Sequence, residues 1–208
     1  MSKQHPILFS STMVKALLEG RKTQTRRIIK PRKDINFGCL LYPNELAGEV
    51  NNGDMTNCPW RPDDILWVRE NGWERPERTT KMMREGADTW PRYAYDAEGW
   101  SEQDHADFKQ WGFKRRPSIY MPRWASRITL KIVGVRAELL QEISEEDARE
   151  EGAKECDLVS GREVLLAGYS QRGSFVLHYR DICESINGRG SWNANPWVWV
   201  ISFCLVAP

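Results

Sequence analysis

The sequence has few of the residues that build metal sites or disulfide frameworks. Its three histidines stand apart from one another, and its five cysteines are widely spaced at Cys39, Cys58, Cys156, Cys183 and Cys204. No Cys-x-x-Cys pair occurs, so the spacings fit known zinc-ligand patterns poorly, and we expect no metal. The odd number of cysteines favours reduced thiols and therefore a cytoplasmic protein.

Long apolar runs are lacking as well. No stretch approaches the roughly 18 residues that a membrane-spanning helix requires, and no signal peptide opens the chain. We therefore expect neither secretion nor a membrane partner. An excess of charge of one sign is also absent, because 30 Lys and Arg face 29 Asp and Glu, for a net charge of +1. The net charge alone therefore does not mark the chain as a polyanion-binding protein.

What the sequence does contain is a local separation of charge. Residues 15–34 hold eight Lys and Arg against two acids, whereas residues 138–157 hold nine Asp and Glu against two bases. If the fold brings the two segments together, they form a polarised cleft. Two separate solvated faces are the simpler interpretation, and the sequence alone favours it.

Hydrophobic periodicity predicts one helix, then mostly strands, with helices between the last strands. The predicted helices cover residues 6–20, 143–153 and 173–190, and the predicted strands cover residues 23–29, 63–70, 125–140 and 196–206. Two segments lack sustained periodicity: residues 32–62 have the composition of a loop, and residues 71–122 that of an irregular insertion or lid containing one short helix. This pattern favours an α+β fold in which helices pack around a small β-barrel.

Several segments, taken in order, resemble one family. The stretch LLEGRKTQTRR carries the pattern Gly-x-Lys-x-x-Thr-x-Arg, through Gly20, Lys22, Thr25 and Arg27. DDILWVRE is similar to the strand that follows this pattern, although Asp63-Asp64 replaces the usual Gly-Asp. ISEEDAREEG and PWVWVISF resemble the acidic helix and the last strand. The family is the ASCH domain, a relative of the PUA RNA-binding fold, and the chain also resembles ASCH-like proteins of bacterial prophages.

The resemblance implies a single ASCH-like domain over residues 1–208. Its expected form is a compact PUA-like β-barrel with flanking helices and a large irregular insertion. Three segments have no counterpart in the family and are interpreted as insertions: residues 33–60, 71–122 and 154–172. The second of these is expected to act as a lid that restricts which nucleobase enters the site.

The resemblance also implies an activity. Within the family, the motif is most similar to that of the small bacterial N(4)-acetylcytidine amidohydrolases, which use a lysine, a threonine and a glutamate and need no metal or other cofactor. Their roles fall on Lys22, Thr25 and Glu151, with Glu150 as the alternative if the alignment slips by one residue. The expected substrate is an N-acylated nucleobase or nucleoside. The simpler interpretation of these residues is a basic strand and a solvated helix carboxylate.

Elementary chemistry supports such a triad on one condition. A threonine hydroxyl is a poor nucleophile until a base takes its proton, and a lysine serves as that base only when its amine is often neutral. Burial and the neighbouring cations would lower the pKa of Lys22, whereas a nearby Glu151 would raise it, and the sequence leaves open which effect prevails. The candidate substrate-binding residues are Arg21, Arg26, Arg27, Glu70 and Trp73.

Two alternatives involve binding rather than amide hydrolysis. The chain has ten tryptophans, which either fill the core or stack on bases. A single-stranded RNA-binding module, or a ribonuclease, would use the cations Arg21, Arg26, Arg27, Lys114, Arg115, Arg116 and Arg123 beside Trp111 and Trp124. A phage accessory protein would instead bind a host protein through the tryptophan-rich insertion. The acyl group, the choice between free nucleoside and RNA, and the oligomeric state are not determined by the sequence.

Overall fold

The computed structural model describes residues 2–86, 89–154 and 174–206. The helices are α1 (Ser11–Leu18), α2 (Pro43–Asn51), α3 (Thr80–Arg84), α4 (Glu102–Gln110), α5 (Glu145–Glu150) and α6 (Phe175–Asn187). The strands are β1 (Gln4–Leu8), β2 (Gln24–Ile28), β3 (Arg32–Lys33), β4 (Leu40–Leu41), β5 (Ile65–Arg69), β6 (Gly72–Glu74), β7 (Tyr93–Tyr95), β8 (Lys114–Arg116), β9 (Thr129–Leu139) and β10 (Trp197–Val206). This mixture of helices and strands confirms the predicted α+β class, and the described sheets do not close into a barrel.

The chain divides into two compact units. The first comprises Met1–Leu18, Ile65–Lys131 and Leu205–Pro208, and the second comprises Glu19–Asp64 and Ile132–Cys204. The prediction of one ASCH-like domain over residues 1–208 stays a prediction. None of the helices in the described part of the chain is both long and apolar enough to cross a membrane.

The first unit contains a sheet in the order β1-β5-β9. β5 pairs in parallel with β1 and antiparallel with the start of β9, where Leu66 lies opposite Leu130. The predicted helix over residues 6–20 therefore begins late, at Ser11, because the preceding residues form β1. Pro6 lacks a backbone N–H, and it is tolerated here because β1 lies at an edge of this sheet.

The segment 71–122, predicted to be irregular, builds a second sheet and a core of its own. Its strands lie in the order β7-β6-β8, and the buried side chains beside them are Trp73, Met82, Ala94, Phe108 and Phe113. Gly72 is required in β6 because a Cβ there would lie 2.3 Å from the ring of Tyr93 and 2.5 Å from the backbone oxygen of Ala94. The segment lacks helical periodicity because its short elements bury large aromatic rings instead of a continuous apolar stripe.

The second unit contains the strands β9-β10-β2, with β10 antiparallel to β2. Its core lies between β10 and the helices α5 and α6, and comprises Leu140, Ile143, Ala148, Ala153, Tyr179, Cys183, Val198 and Val200. The four predicted strands and the two predicted late helices are confirmed by these elements. Most of the insertion predicted at residues 154–172 lies outside the described residues.

The segment 32–62 is not the loop that the sequence predicts. It contains α2, which starts with a proline at its first turn and packs Leu46, Ala47 and Val50 inward. The backbone N–H of Tyr42 donates to the Glu45 carboxylate over 2.7 Å, and this contact closes the start of the helix. The turn-forming residues on both sides of this short helix hide its periodicity in the sequence.

Candidate functional site

Lys22 lies at the centre of the candidate site in the second unit and is only 2% exposed. Its Nζ donates to the Glu151 carboxylate over 2.7 Å, to the Glu151 carbonyl over 2.8 Å and to the Gln24 carbonyl over 2.9 Å. An ammonium group has three protons, so each has an acceptor in this geometry. The backbone supports the arrangement, because Lys22 and Glu151 form an antiparallel bridge and the Thr23 N–H donates to the Glu150 carbonyl over 2.8 Å.

The acidic helix α5 positions Glu151. Its start is capped by Ser144, whose hydroxyl accepts from the Asp147 N–H over 3.0 Å. Glu151 follows its last residue, and Gly152 then takes a left-handed conformation with φ of 90°. The two candidate acids have different partners: Glu151, 4% exposed, contacts Lys22, whereas the Glu150 carboxylate accepts a hydrogen bond from Gln24. Of the two, Glu151 is therefore the one that can exchange a proton with Lys22.

Arg26 extends the ion pair into a network of opposite charges. Its Nε and Nη2 donate to one oxygen of Glu138 over 3.0 and 2.6 Å. Nη2 also donates to Asp147 over 3.0 Å, and Nη1 donates to Glu151 over 3.4 Å. Arg136 joins from β9 and donates to Glu138 over 3.1 Å and to Asp147 over 2.8 Å. The basic segment 15–34 and the acidic segment 138–157 therefore do meet, through buried and half-buried ion pairs.

The pKa of Lys22 lies below the ordinary value of 10.5. Burial lowers it and outweighs the charge and hydrogen bond of Glu151, which raise it. The positive charges of Arg27 and Arg26 lower the pKa of Lys22 further. The competition that the sequence left open is thus decided by burial, and the Lys22 amine loses its proton more readily than that of an exposed lysine.

Thr25 lies in β2 opposite Ile201 and is 3% exposed. Because side chains alternate along a strand, Thr25 and Arg27 lie on the face opposite to that of Gln24 and Arg26. The Lys22 amine contacts the backbone immediately before Thr25, since the Gln24 carbonyl that accepts from Lys22 belongs to the peptide bond preceding Thr25. Lys22, Thr25 and Glu151 are therefore all buried within one region of the second unit, and Lys22 and Glu151 are in direct contact.

The other predicted arginines also lie in the second unit. Arg21 donates to the Gly152 carbonyl over 3.1 Å and to Glu19 over 2.8 Å, so it braces the end of α5. Burial lowers the pKa of the Arg27 guanidinium, against the opposing charges of Glu151 and Tyr179. Arg26 is fixed by three carboxylates. These contacts make Arg21 and Arg26 supports of the site, since their guanidinium groups are engaged with the protein itself.

Glu70 and Trp73 lie in the first unit, and their contacts are made there. Both oxygens of Glu70 accept from Arg127, each over 3.0 Å. Burial raises the pKa of Glu70, against the hydrogen bond and charge of Arg127. Trp73 belongs to the aromatic core of the second sheet, where its ring lies 5.7 Å from that of Phe108. The burial of both residues is explained by these contacts.

Four residues of the ion-pair network around Arg26 were not expected from the sequence. Gln24, Arg136, Glu138 and Asp147 carry hydrogen bonds that hold Arg26 and α5 together. The separation of charge between residues 15–34 and residues 138–157 indicates the region of the network but not the individual partners. Glu138 and Arg136 lie two residues apart in β9, so their side chains share one face of that strand.

The contacts of Asp147 predict that the folded protein loses stability at acid pH. Burial raises its pKa, but the hydrogen bond from Gln24 and the charges of Arg26 and Arg136 together lower it below the ordinary 3.8. The stabilisation of the folded protein by the ionised Asp147 carboxylate is therefore fully present above pH 3.8. It is lost as the pH falls through the lower pKa that Asp147 has in the folded protein. In urea denaturation from about pH 5 to pH 2, Asp147→Asn should lose less stability than the wild type. Glu146→Gln, an exposed change on the same helix, should follow the wild type, and parallel curves for all three proteins would contradict the assignment.

Comparisons with known proteins yield no relative. No protein-family model matches the chain, and no curated protein and no solved structure is found to be similar to it. The ASCH resemblance therefore stays a prediction from the motifs. The geometry around Lys22 is therefore the main evidence on function.

Proposed function

We propose that this chain is a metal-independent amidohydrolase, and that it removes an acyl group from the exocyclic amine of a nucleobase or nucleoside such as N(4)-acetylcytidine. One observation supports this most directly. The Lys22 amine is buried, has a lowered pKa, contacts Glu151 and lies against the peptide bond that precedes Thr25. The ASCH resemblance, with its PUA-like barrel, assigns the same three residues and forms part of the proposal.

The reaction divides into two steps. In the first, Thr25 Oγ1 bonds to the acyl carbon while the neutral Lys22 amine takes the hydroxyl proton. The 2.7 Å hydrogen bond allows that proton to pass to Glu151, which delivers it to the departing nitrogen as the carbon–nitrogen bond breaks. In the second step, water adds to the threonine ester, and the carboxylic acid leaves as the hydroxyl is restored. The net reaction converts an amide and water into an acid and an amine.

The surrounding charges fit this role for the lysine. Arg26 donates to Glu151 over 3.4 Å and so draws part of its negative charge away from Lys22. Arg27 and Arg26 both lower the pKa of Lys22.

Of the described cysteines, Cys39, Cys58, Cys183 and Cys204 are free, which supports the cytoplasmic location that we include in the proposal.

The alternatives are an RNA-binding module, a ribonuclease and a phage accessory protein that binds a host protein. RNA binding through Arg26 is less favoured, because its side chain is 1% exposed and already bound to carboxylates. Binding of a host protein has support in the first unit, where Ile119, Tyr120 and Trp124 are exposed within six residues. Neither alternative accounts for a buried amine with a lowered pKa.

The proposal is tested by incubating the purified protein with N(4)-acetylcytidine and measuring cytidine and acetate by chromatography. We expect turnover that persists after treatment with a chelator, because none of the proposed steps uses a metal. Glu146→Gln, which changes an exposed charge on α5, should turn over the substrate at the wild-type rate. A folded wild-type protein that is inert toward N(4)-acetylcytidine, N(4)-acetylcytosine and longer N-acyl analogues would refute the proposal.

A further inference from the structure

The first unit has a basic cleft of about 600 Å³ beside its second sheet. Among its described lining residues, the cations are Arg75, Arg78, Arg92, Lys114 and Arg116, and the acids are Glu74 and Glu77. This volume lies within the range of small-ligand pockets, roughly 300–1,000 Å³. It suits a nucleotide or a short piece of single strand, and it is too small for a duplex.

The positive charge of the cleft is only partly balanced. Arg116 donates to Glu74 over 2.6 Å, and Arg75 donates to the backbone oxygen of Trp90. Lys114 and Arg116 lie two residues apart in β8, so the strand presents both cations on the same face. With five cations against two acids among the described lining residues, the cleft attracts anions.

An aromatic ring stands beside these cations. The Arg92 guanidinium, which lines the cleft, lies 3.8 Å from the ring centroid of Trp124. Trp124 is 45% exposed although its ring is held edge-on by Tyr93, with the centroids 6.3 Å apart. The Arg92 guanidinium covers one face of the ring, and the exposed remainder of this fixed ring is a platform for a stacked base.

We propose that this cleft binds the phosphate groups of a nucleotide or of single-stranded nucleic acid, with a base stacked on Trp124. Arginine forks match phosphate oxygens two at a time, and the ring supplies the contact that a base requires. An acidic peptide would satisfy the charge but would offer no base to stack on the exposed part of the Trp124 ring. The proposal does not depend on hydrolysis in the second unit, because its residues all belong to the first.

The charge contribution is tested with a matched pair of variants. Arg78→Glu with Lys114→Glu reverses two cations of the cleft, and Arg84→Glu with Lys109→Glu reverses two exposed cations elsewhere in the same unit. Fluorescence anisotropy with a labelled oligouridylate should show a loss of affinity of about tenfold or more for the first variant and little change for the second. The salt slope of the first variant should fall by about 0.7 for each phosphate group that the protein no longer neutralises.

The contribution of base stacking on Trp124 to the binding affinity is measured by comparing ligands with and without a base. Trp124→Leu should weaken oligouridylate binding about fivefold or more, because stacking contributes roughly 1–3 kcal/mol per base. Binding of inorganic tripolyphosphate, measured by calorimetry, should be unchanged in this variant. Uridine monophosphate and oligodeoxythymidylate serve as further probes: equal binding of the monophosphate indicates a nucleotide site, and binding of oligomers alone indicates a strand site. Both results support the cleft as a phosphate site.

Three outcomes would overturn the proposal. One is a folded protein that binds none of these probes at low salt. Another is an equal loss of affinity in the two charge variants, which would show a general effect of net charge. The third is displacement of the oligouridylate by polyglutamate of the same charge as effectively as by tripolyphosphate. None of these outcomes bears on turnover of N(4)-acetylcytidine, so the two proposals fail separately.

Discussion

Replacing Glu151 by glutamine should lower the free energy of unfolding by about 3–5 kcal/mol, because it leaves the Lys22 ammonium buried without its counter-charge. Lys22 can limit this cost by releasing its proton. Neutralising a lysine of ordinary pKa 10.5 at pH 7 costs about 5 kcal/mol, at roughly 1.36 kcal/mol per pKa unit. The loss, measured by urea denaturation at pH 7, should therefore not exceed that value.

The pH dependence of this variant has a definite sign. Without Glu151 the pKa of Lys22 in the folded protein falls further below 10.5, so the penalty is fully present only at pH values below that lowered pKa. It is relieved as the pH rises toward 10.5, where the unfolded chain also loses its proton. The gap in stability between Glu151→Gln and the wild type should thus narrow in alkaline solution.

Two further variants test whether the loss of stability comes from breaking the ion pair between Lys22 and Glu151. Glu146→Gln, exposed on the same helix, should change stability by no more than about 0.5 kcal/mol. Lys22→Met combined with Glu151→Leu removes both charges and should recover most of the loss, because apolar side chains of similar size tolerate burial. If Glu151→Gln proves as stable as Glu146→Gln, the carboxylate does not hold Lys22 in solution.

Replacing Thr25 by valine should reduce turnover of N(4)-acetylcytidine by at least about 10³-fold. Valine has nearly the same shape as threonine but no hydroxyl, so the proposed nucleophile is lost while the strand is retained. Thr25→Ser keeps a hydroxyl and should retain a substantial part of the activity. The rates are compared by measuring cytidine release under saturating substrate, with folding verified by circular dichroism.

Thr23 provides the matched control for this substitution. It lies two residues away at an exposed position, and Thr23→Val should keep the wild-type rate. Alternation places the side chain of Thr25 on the face opposite to Gln24 and Arg26, and the comparison of the two variants tests whether the Thr25 hydroxyl is the nucleophile. Wild-type turnover by Thr25→Val would indicate direct attack by water with Lys22 as its base, and it would remove Thr25 from the mechanism.

The sequence by itself determined the elements with strong local patterns. The strands β2, β5, β9 and β10 and the helices α5 and α6 follow from apolar periodicity and capping residues, which act over a few neighbouring positions. The motif around Lys22 and the acidic helix are also visible in the sequence, which indicates Glu151, or Glu150 as the alternative, as the acid but not its contact with Lys22. Local signals were sufficient here because each element is specified by residues close together in the chain.

Only the tertiary structure decided which residues meet. β1, α2 and the sheet of segment 71–122 were missed because short elements are stabilised by distant partners and not by their own periodicity. Lys22 and Glu151 are separated by 129 residues, and Arg26 and Glu138 by 112, so no local pattern encodes their contacts. The lowered pKa of Lys22 likewise results from burial, which no short stretch of sequence specifies and which arises when the folded chain excludes water from the amine.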